Sequence, residues 1–394
     1  MSRLLALLTI LSSATGRVEG VLNSIRRNVF APIGRMFDFI FGPLDRLFDP
    51  LANLFNRLLG DYFGEITGLQ FAFLVGSIIT LLTAGYWAKA VILFSSEGLV
   101  VRDIRRTLAL ACIWAIFAMG WDIQSGFTGY ISFGHSVLSG TAAYTVALLL
   151  VHVDSSMTYA MMTPIAVFAA MVVGLLIALP SLRLEGPYFS LITFIAVLLA
   201  YRLTIAYSGL LGGATGFQNA DFLVSPADPF MRYYVMLIPM LLIALGLTIL
   251  ARSNLGLVLT AIRENEPAVS AAGINPTKFK LWSFVISSIP MGIGGVLLVG
   301  FSPNVNPDTF LVVNNSIEMI AIAVVGGMAS ILGPMGGAFL FQLVNHTILG
   351  EFFDSAALRL MFLFVVVVLV LVLARDGLFR MIWHRLGAVR GDER

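Results

Sequence analysis

Three ionisable residues fall inside apolar stretches of this 394-residue chain: Asp122, His135 and Glu318. An ionisable group near the middle of a bilayer costs at least a few kcal/mol, so each is a functional candidate by default. Asp122 and His135 share the segment from Gly120 to Ser136, in which Gly126, Gly129 and Gly134 interrupt two apolar runs. Such a break frees backbone N–H and C=O groups, which membrane depth tolerates only where protein or a water-filled cavity satisfies them. Broken helices of this kind line solute pathways, which makes Asp122, Gly126, Gly129, Ser132, His135 and Tyr144 candidates for such a lining. The competing reading is a tight helix crossing eased by glycine, with His135 hydrogen-bonded to a neighbouring carbonyl. Glu318 follows Asn314, Asn315 and Ser316 at the start of a span. A first-turn carboxylate is favoured by the helix dipole, so capping is its leading role and a place on the pathway the other.

The second chemical candidate is the polar stretch 252–280. In Arg263-Glu-Asn-Glu-Pro-Ala-Val-Ser-Ala-Ala-Gly273, Pro267 suits the first turn of a helix, Glu264 and Glu266 sit at its positive end, and Gly273 suits the terminating position. The pattern predicts a helix of one or two turns over 266–272. A rigid amphipathic element displayed to the cytosol is what a partner protein could grip; a solvated connector is the alternative. Gly326, Gly327, Gly333, Gly336 and Gly337 have the spacing of close packing.

Other chemistries find no residues to carry them. A P-loop needs a glycine followed by lysine, and neither Lys89, Lys278 nor Lys280 follows a glycine. The His-Glu-x-x-His and Gly-x-Ser-x-Gly patterns are absent, and His135, His152, His346 and His384 are scattered. With a single cysteine, Cys112, one copy builds neither a disulfide nor a cysteine zinc site. Neither a catalytic residue nor a metal ligand is expected. Charge is nearly balanced, 24 Lys and Arg against 22 Asp and Glu, so no whole-protein field draws the chain to nucleic acid.

The elements that must hold these residues are set by composition. The chain is 58% hydrophobic and 12% charged, with mean hydropathy +0.93, against about a quarter charged in a soluble domain. A membrane-spanning helix needs roughly 20 apolar residues, and about ten stretches qualify, near 68–94, 107–124, 130–153, 159–181, 187–207, 231–251, 281–301, 315–332, 334–350 and 357–374. The expected fold is an all-α polytopic membrane protein. Short loops rich in Lys and Arg stay cytoplasmic; with ten spans, the N-terminal stretch, loop 252–280 and the tail share one side, holding 16 of the 24 cations. Loop 208–230, with Asp221 and Asp228 and no cation, falls on the other side. Arg102, Arg105 and Arg106 break the rule: they form a short surface helix outside, or one early span is not a full crossing. Residues 1–66 read as an amphipathic N-terminal segment. Between Phe30 and Phe63 apolar residues recur every three or four positions while charges occupy other faces, as in a helix lying in the membrane interface or packed on the bundle, broken near Pro43 and Pro50. Residues 1–14 imitate a short secretory signal. The expected organisation is 1–66 interfacial, 67–106 first helix and connection, 107–376 transmembrane domain and 377–394 cytoplasmic tail.

Six stretches appear in a fixed order: Gly129-Tyr-Ile-Ser-Phe-Gly-His135, Gly140-Thr-Ala-Ala-Tyr-Thr145, Arg183-Leu-Glu-Gly-Pro-Tyr-Phe-Ser-Leu-Ile-Thr193, Gly212-Gly-Ala-Thr-Gly216, Ala261-Ile-Arg-Glu-Asn-Glu266 with Ala272-Gly-Ile-Asn275, and Val325-Gly-Gly-Met-Ala-Ser-Ile-Leu-Gly-Pro334. Over roughly 105–380 the chain closely resembles the LivM-type permeases of branched-chain amino acid ABC importers. The resemblance implies a type II-like importer permease fold of about ten helices in a bacterial inner membrane, both termini cytoplasmic. It implies as partners a LivH-like second permease chain, two cytoplasmic ATPases that bind ATP and Mg in place of any cofactor in this chain, and a periplasmic solute-binding protein. It implies that Arg263, Glu264, Asn265, Glu266, Ala271 and Gly273 dock on the ATPase, although the commoner Glu-Ala-Ala-x-x-x-Gly form is not spelled here. The family usually has asparagine where Asp122 stands. Gly212, Gly213 and Gly216 then belong to the docking face for the binding protein. Within this class the solute is a branched-chain or other hydrophobic amino acid, with urea or short amides as the alternative. An ion-coupled transporter using Asp122, His135 and Glu318 as a relay, and a non-transporting scaffold, are the competing classes.

Overall fold

The computed structural model describes residues 48–57, 68–94, 104–153, 157–184, 186–218, 223–225, 228–302, 304–353, 355–373, 377 and 381. The chain divides into two compact units, Met1–Leu82 with Ile382–Arg394, and Thr83–Met381. In the first, a helix covers 48–57 and includes Pro50, with Leu51 and Leu54 of the expected apolar stripe exposed. The rest of that stripe, the signal-like residues 1–14 and the tail from 382 lie outside the described residues. Helix α1, Gly68–Phe94, begins in the first unit and ends in the second.

The second unit is a helical bundle. Its long helices are α2 (Ile104–Trp121), α3 (His135–His152), α4 (Tyr159–Ser181), α5 (Pro187–Ala206), α6 (Pro229–Arg252), α7 (Asn254–Ala271), α8 (Pro276–Phe301), α9 (Val313–Gly326), α10 (Leu332–Leu343) and α11 (Ala356–Leu373). Each of the ten apolar stretches expected from the sequence overlaps one of these helices or α1. Among the described residues seven helices are long and apolar enough to cross a membrane, with α2 extended to Gly126 and α9 begun at Pro307. The count of ten is not reached on that criterion. Helix α10 has 12 residues and passes into a π-helical turn at Val344–Ile348.

Helices α2 and α8 form the buried axis. Fully buried Phe117, Trp121, Ile113 and Met119 line α2, and α8 packs on α2, α3 and α4. Close approach is possible because α8 presents small residues: a side chain at Gly292 would press on the backbone of Val167, and one at Gly295 on the carbonyl of Ser139. Helices α4, α5 and α6 instead expose Phe168, Leu198 and Leu242. A bilayer rewards that arrangement, because burying those groups in lipid is as favourable as burying them in a core.

The loops close the two ends of the bundle differently. At one end the chain from 212 to 217 pairs with 305, Phe217 and Val305 exchanging backbone hydrogen bonds of 2.8 and 2.9 Å. Arg105 and Arg106 lie in the first turn of α2, with Arg106 over the ring of Phe301 at 5.9 Å. They open a spanning helix and do not form a separate surface helix, whereas Arg102 lies outside the described residues. At the other end are the turn 127–134, the 252–280 stretch and the connection 327–331.

Candidate functional site

Helix α2 does not stop where its apolar run ends. It widens into a π-helical turn, Asp122–Gly126, then unwinds through 129–134 before α3 begins at His135. Such turns free backbone groups, and here side chains satisfy them. Gln124 donates to the Tyr130 carbonyl at 3.3 Å, and Trp121 Nε1 to the Ser132 carbonyl at 2.8 Å. Ser190 Oγ donates to the Ile131 carbonyl at 2.6 Å. In the other direction, Ser125 Oγ accepts from Ser132 N, Thr193 Oγ1 from Phe133 N and Ser132 Oγ from Gly134 N, each at 3.1 Å. The break expected from the glycines is therefore real, and protein lines it.

His135 belongs to this lining. It is fully buried, its Nδ1 is 3.1 Å from Ser132 Oγ and its Nε2 3.3 Å from Ser287 Oγ, and its ring lies 5.5 Å from that of Phe284. Its partners are hydroxyls, not the backbone carbonyl of the competing packing reading. Asp122 is also fully buried. Its two carboxylate oxygens accept from the backbone N–H groups of Ala329 and Ser330, at 2.7 and 3.1 Å. Ala329 has φ 58°, the left-handed region, and that conformation turns two successive N–H groups toward one anion. Gly126 is needed beneath it, since a side chain there would collide with the Asp122 carboxylate.

The 252–280 stretch is two helices, not a loop with one. Asn265, at φ −159° and ψ 90°, breaks α7 after Glu264, and its side chain caps the following turns by accepting from Ala268 N at 3.1 Å. The short helix ends as the spacing predicted. Gly273 takes φ 82°, its N–H reaches the Ser270 carbonyl, and Ile274 N–H reaches the Val269 carbonyl, which is a Schellman cap. One face of this helix is exposed, through Glu264, Asn265, Pro267, Ala268, Ala271 and Gly273. The other is anchored, through Glu266.

Glu266 accepts from Lys280 Nζ at 2.7 Å and from Tyr130 Oη at 2.6 Å. The Lys280 side chain is 3% exposed and lies 4.2 Å above the Tyr130 ring. Burial alone would raise the Glu266 carboxyl, but the hydrogen bonds from Lys280 and Tyr130 and the Lys280 charge hold it below the ordinary carboxylate range. A second tie is Arg263, whose guanidinium donates to the Gly126 carbonyl at 3.0 Å while its stem packs against Gly129. The left-handed φ of 78° at Gly129 is what brings that backbone so near.

The remaining candidates lie elsewhere. Tyr144, nine residues along α3 from His135, is buried against Phe217 at 6.2 Å between ring centroids. Glu318 is not a first-turn cap. Its helix begins at Val313, because Asn306 caps a turn at Pro307–Phe310 and the chain turns helical again at once, so Glu318 stands in the second turn. It accepts from Gln342 Nε2 at 3.1 Å. Asp122, His135 and Glu318 have no hydrogen-bond partner in common among the described residues. Gly212, Gly213 and Gly216 all have positive φ and form the turn that pairs with Val305, its tip at Ala214 and Thr215 exposed. Asp221 lies outside the described residues, and Asp228 caps α6 by accepting from Met231 N.

Sequence reasoning missed Tyr130, Lys280, Ser287, Ala329 and Gln342. Lys280 carried one usable signal, a lysine at the threshold of an apolar run with a glutamate 14 residues before it. The others gave none, because their partners are distant in sequence.

The family described as branched-chain amino acid transport system, permease component, matches residues 104–371. The high-affinity branched-chain amino acid transport system permease protein LivM of Escherichia coli is 27% identical over 278 residues, 64% of this chain and 64% of its own length. The corresponding LivH of Salmonella typhimurium is 25% identical over 253 residues, 59% and 80% of the two chains. The ribose import permease protein RbsC of Haemophilus influenzae is 23% identical over 274 residues, 65% and 78%. The chain thus spans about two thirds of the length of the LivM relatives. No solved structure matches. With the family covering α2 through most of α11, the broken helix and the capped short helix after Asn265 included, this chain belongs to the branched-chain amino acid permease family as a LivM-type, multi-pass membrane permease.

Proposed function

We propose that the chain is the transmembrane permease subunit of an ATP-driven importer for branched-chain or other hydrophobic amino acids, and that residues 263–273 are where it receives force. The observation that carries the reading is the two-faced helix after Asn265, exposed on one side and bolted to the bundle on the other. The partners are a LivH-like second permease chain, two ATPase subunits that bind ATP and Mg, and a periplasmic binding protein docking at the Gly212–Gly216 turn. The chain lies in the inner membrane with residues 263–273 and both termini cytoplasmic, consistent with the charge distribution.

In this reading an ATPase subunit grips the exposed face at Glu264, Asn265, Ala271 and Gly273. Its displacement reaches the bundle by two routes. Glu266 pulls on Lys280 at the start of α8, and Arg263 pulls on the Gly126 carbonyl at the end of α2. Those are the two axial helices, so a push at the surface moves the buried core and not one peripheral helix. The break at 126–134 is the part of the spanning structure nearest that joint, which supports its use as the pathway lining.

The test is Ala271→Arg, which alters the exposed face and no described contact. The variant is expected to insert and fold normally, yet to lose ATP-driven uptake of labelled leucine in vesicles holding all subunits. Normal uptake would remove the coupling assignment. Calorimetry on the solute-binding protein of the same importer tests the substrate; binding of urea and not leucine would replace the solute while keeping the mechanism.

A further inference from the structure

Glu318 and Gln342 face each other across the antiparallel pair α9 and α10, and their bonding is incomplete if the acid is read as a carboxylate. Gln342 Nε2 donates to Glu318 Oε1, whereas Gln342 Oε1 is sealed from solvent and has no donor among the described residues; the whole residue is 1% exposed. A buried amide oxygen without a donor is costly, and so is an ionised carboxylate within a membrane span. One proton removes both costs. A protonated carboxyl has one O–H donor beside its remaining acceptor, so an acid and a primary amide facing each other close a ring of two hydrogen bonds, N–H to acid oxygen and O–H to amide oxygen.

We infer that Glu318 is held as a neutral carboxylic acid whose O–H satisfies Gln342 Oε1, making an uncharged acid–amide clamp between α9 and α10. Among the described residues no charged group is paired with Glu318. Helix α10 carries no ionisable side chain. Of the other helices packed on α9, α2 carries Arg105 and Arg106 in its first turn with Asp122 just past its end, α11 carries Arg359, α3 carries His135 and His152, and α5 carries Arg202. None of these hydrogen-bonds or ion-pairs with Glu318 among the described residues. The clamp closes the same hairpin whose connection, 327–331, is held by Asp122. It is therefore a bound proton with a structural role, distinct from a site that exchanges protons or holds a cationic solute.

The experiment compares infrared spectra and uptake of the parent importer with Glu318→Gln and Gln342→Leu. A protonated-carboxyl band, assigned by its loss in Glu318→Gln, is expected from pH 6 to pH 9, and it is expected to shift in Gln342→Leu as the hydrogen bond is lost. Glu318→Gln keeps both hydrogen bonds through its own amide, so its uptake and thermal midpoint are expected to match the parent. No Glu318-dependent band overturns the inference, and a band indifferent to Gln342→Leu overturns the pairing. Loss of uptake in a Glu318→Gln protein that remains folded also overturns it, because an ionised carboxylate would then be required. The infrared result stands apart from the importer assignment, which can fail without affecting it.

Discussion

Replacing Glu266 with alanine tests the joint beneath the exposed helix most directly. The Lys280 side chain is 3% exposed and Glu266 26%, so the substitution leaves a buried ammonium with the Tyr130 ring as its remaining described contact. Removing one partner of a fully buried pair costs about 3–5 kcal/mol. Glu266 is a quarter exposed, and water entering the gap reduces this to about 2–3 kcal/mol. Lys280→Met removes the buried charge at similar volume and leaves a carboxylate that still accepts from Tyr130 and reaches water, at about 1 kcal/mol. Independent effects would add to about 3–4 kcal/mol in the double variant. If the two residues act as a pair, the double variant loses only about 1–2 kcal/mol, since no stranded charge remains. Hydrogen exchange at the amides of Ala272, Gly273 and Ile274, which close the end of the helix, reads these values locally. Glu266→Ala is expected to lower protection there roughly 30- to 150-fold, by the conversion of about 1.4 kcal/mol per tenfold, and Lys280→Met in the same chain to restore roughly 5-fold of it, where independent effects would lower it further. Strict additivity would refute the joint.

Three further outcomes follow from the same geometry. Because Glu266 is held below its ordinary value near about 4.3, its contribution is full above that value and is lost as pH falls through the lower folded value; exchange protection of 266–274 should be flat at neutral pH, fall only in acid, and lose that acid limb in Glu266→Gln. Asp122→Ala strands the N–H groups of Ala329 and Ser330 at about 1–3 kcal/mol each; the thermal midpoint should fall clearly, Asp122→Asn should recover part of the loss, and a midpoint equal to the parent would contradict the anchoring role. Gly273→Ala meets no atom within 4 Å yet must hold φ 82°, so it should cost about 1 kcal/mol through backbone strain alone, with Gly273→Asn milder; equal protection in all three proteins would discount the Schellman cap.

Much of this arrangement is legible in local sequence. The apolar lengths, the break marked by Gly126, Gly129 and Gly134, and the short helix begun by Pro267 and ended by Gly273 are each decided within a few residues, by hydropathy, proline and left-handed glycine. The Glu318 cap was misread for a local reason too: Asn306 and Pro307 begin the helical structure earlier than the asparagines at 314 and 315 suggest. Legibility ends where a residue's role depends on distant partners. Asp122 shows nothing of its backbone partners until the connection at 329 and 330 folds onto it, and Glu266 reads as a dipole-favoured surface acid until Tyr130 and Lys280 close on it.

Sequence alone determined that this is a multi-pass helical membrane chain with a broken second helix and a capped helix between two spans, because period, length and capping are properties of contiguous residues. Tertiary structure decided which polar groups are anchors, which face outward and which sit apart. Those assignments depend on contacts spanning 136 residues from Tyr130 to Glu266 and 207 from Asp122 to Ala329, and in a low-dielectric interior a polar group's role is set by the partner that satisfies it.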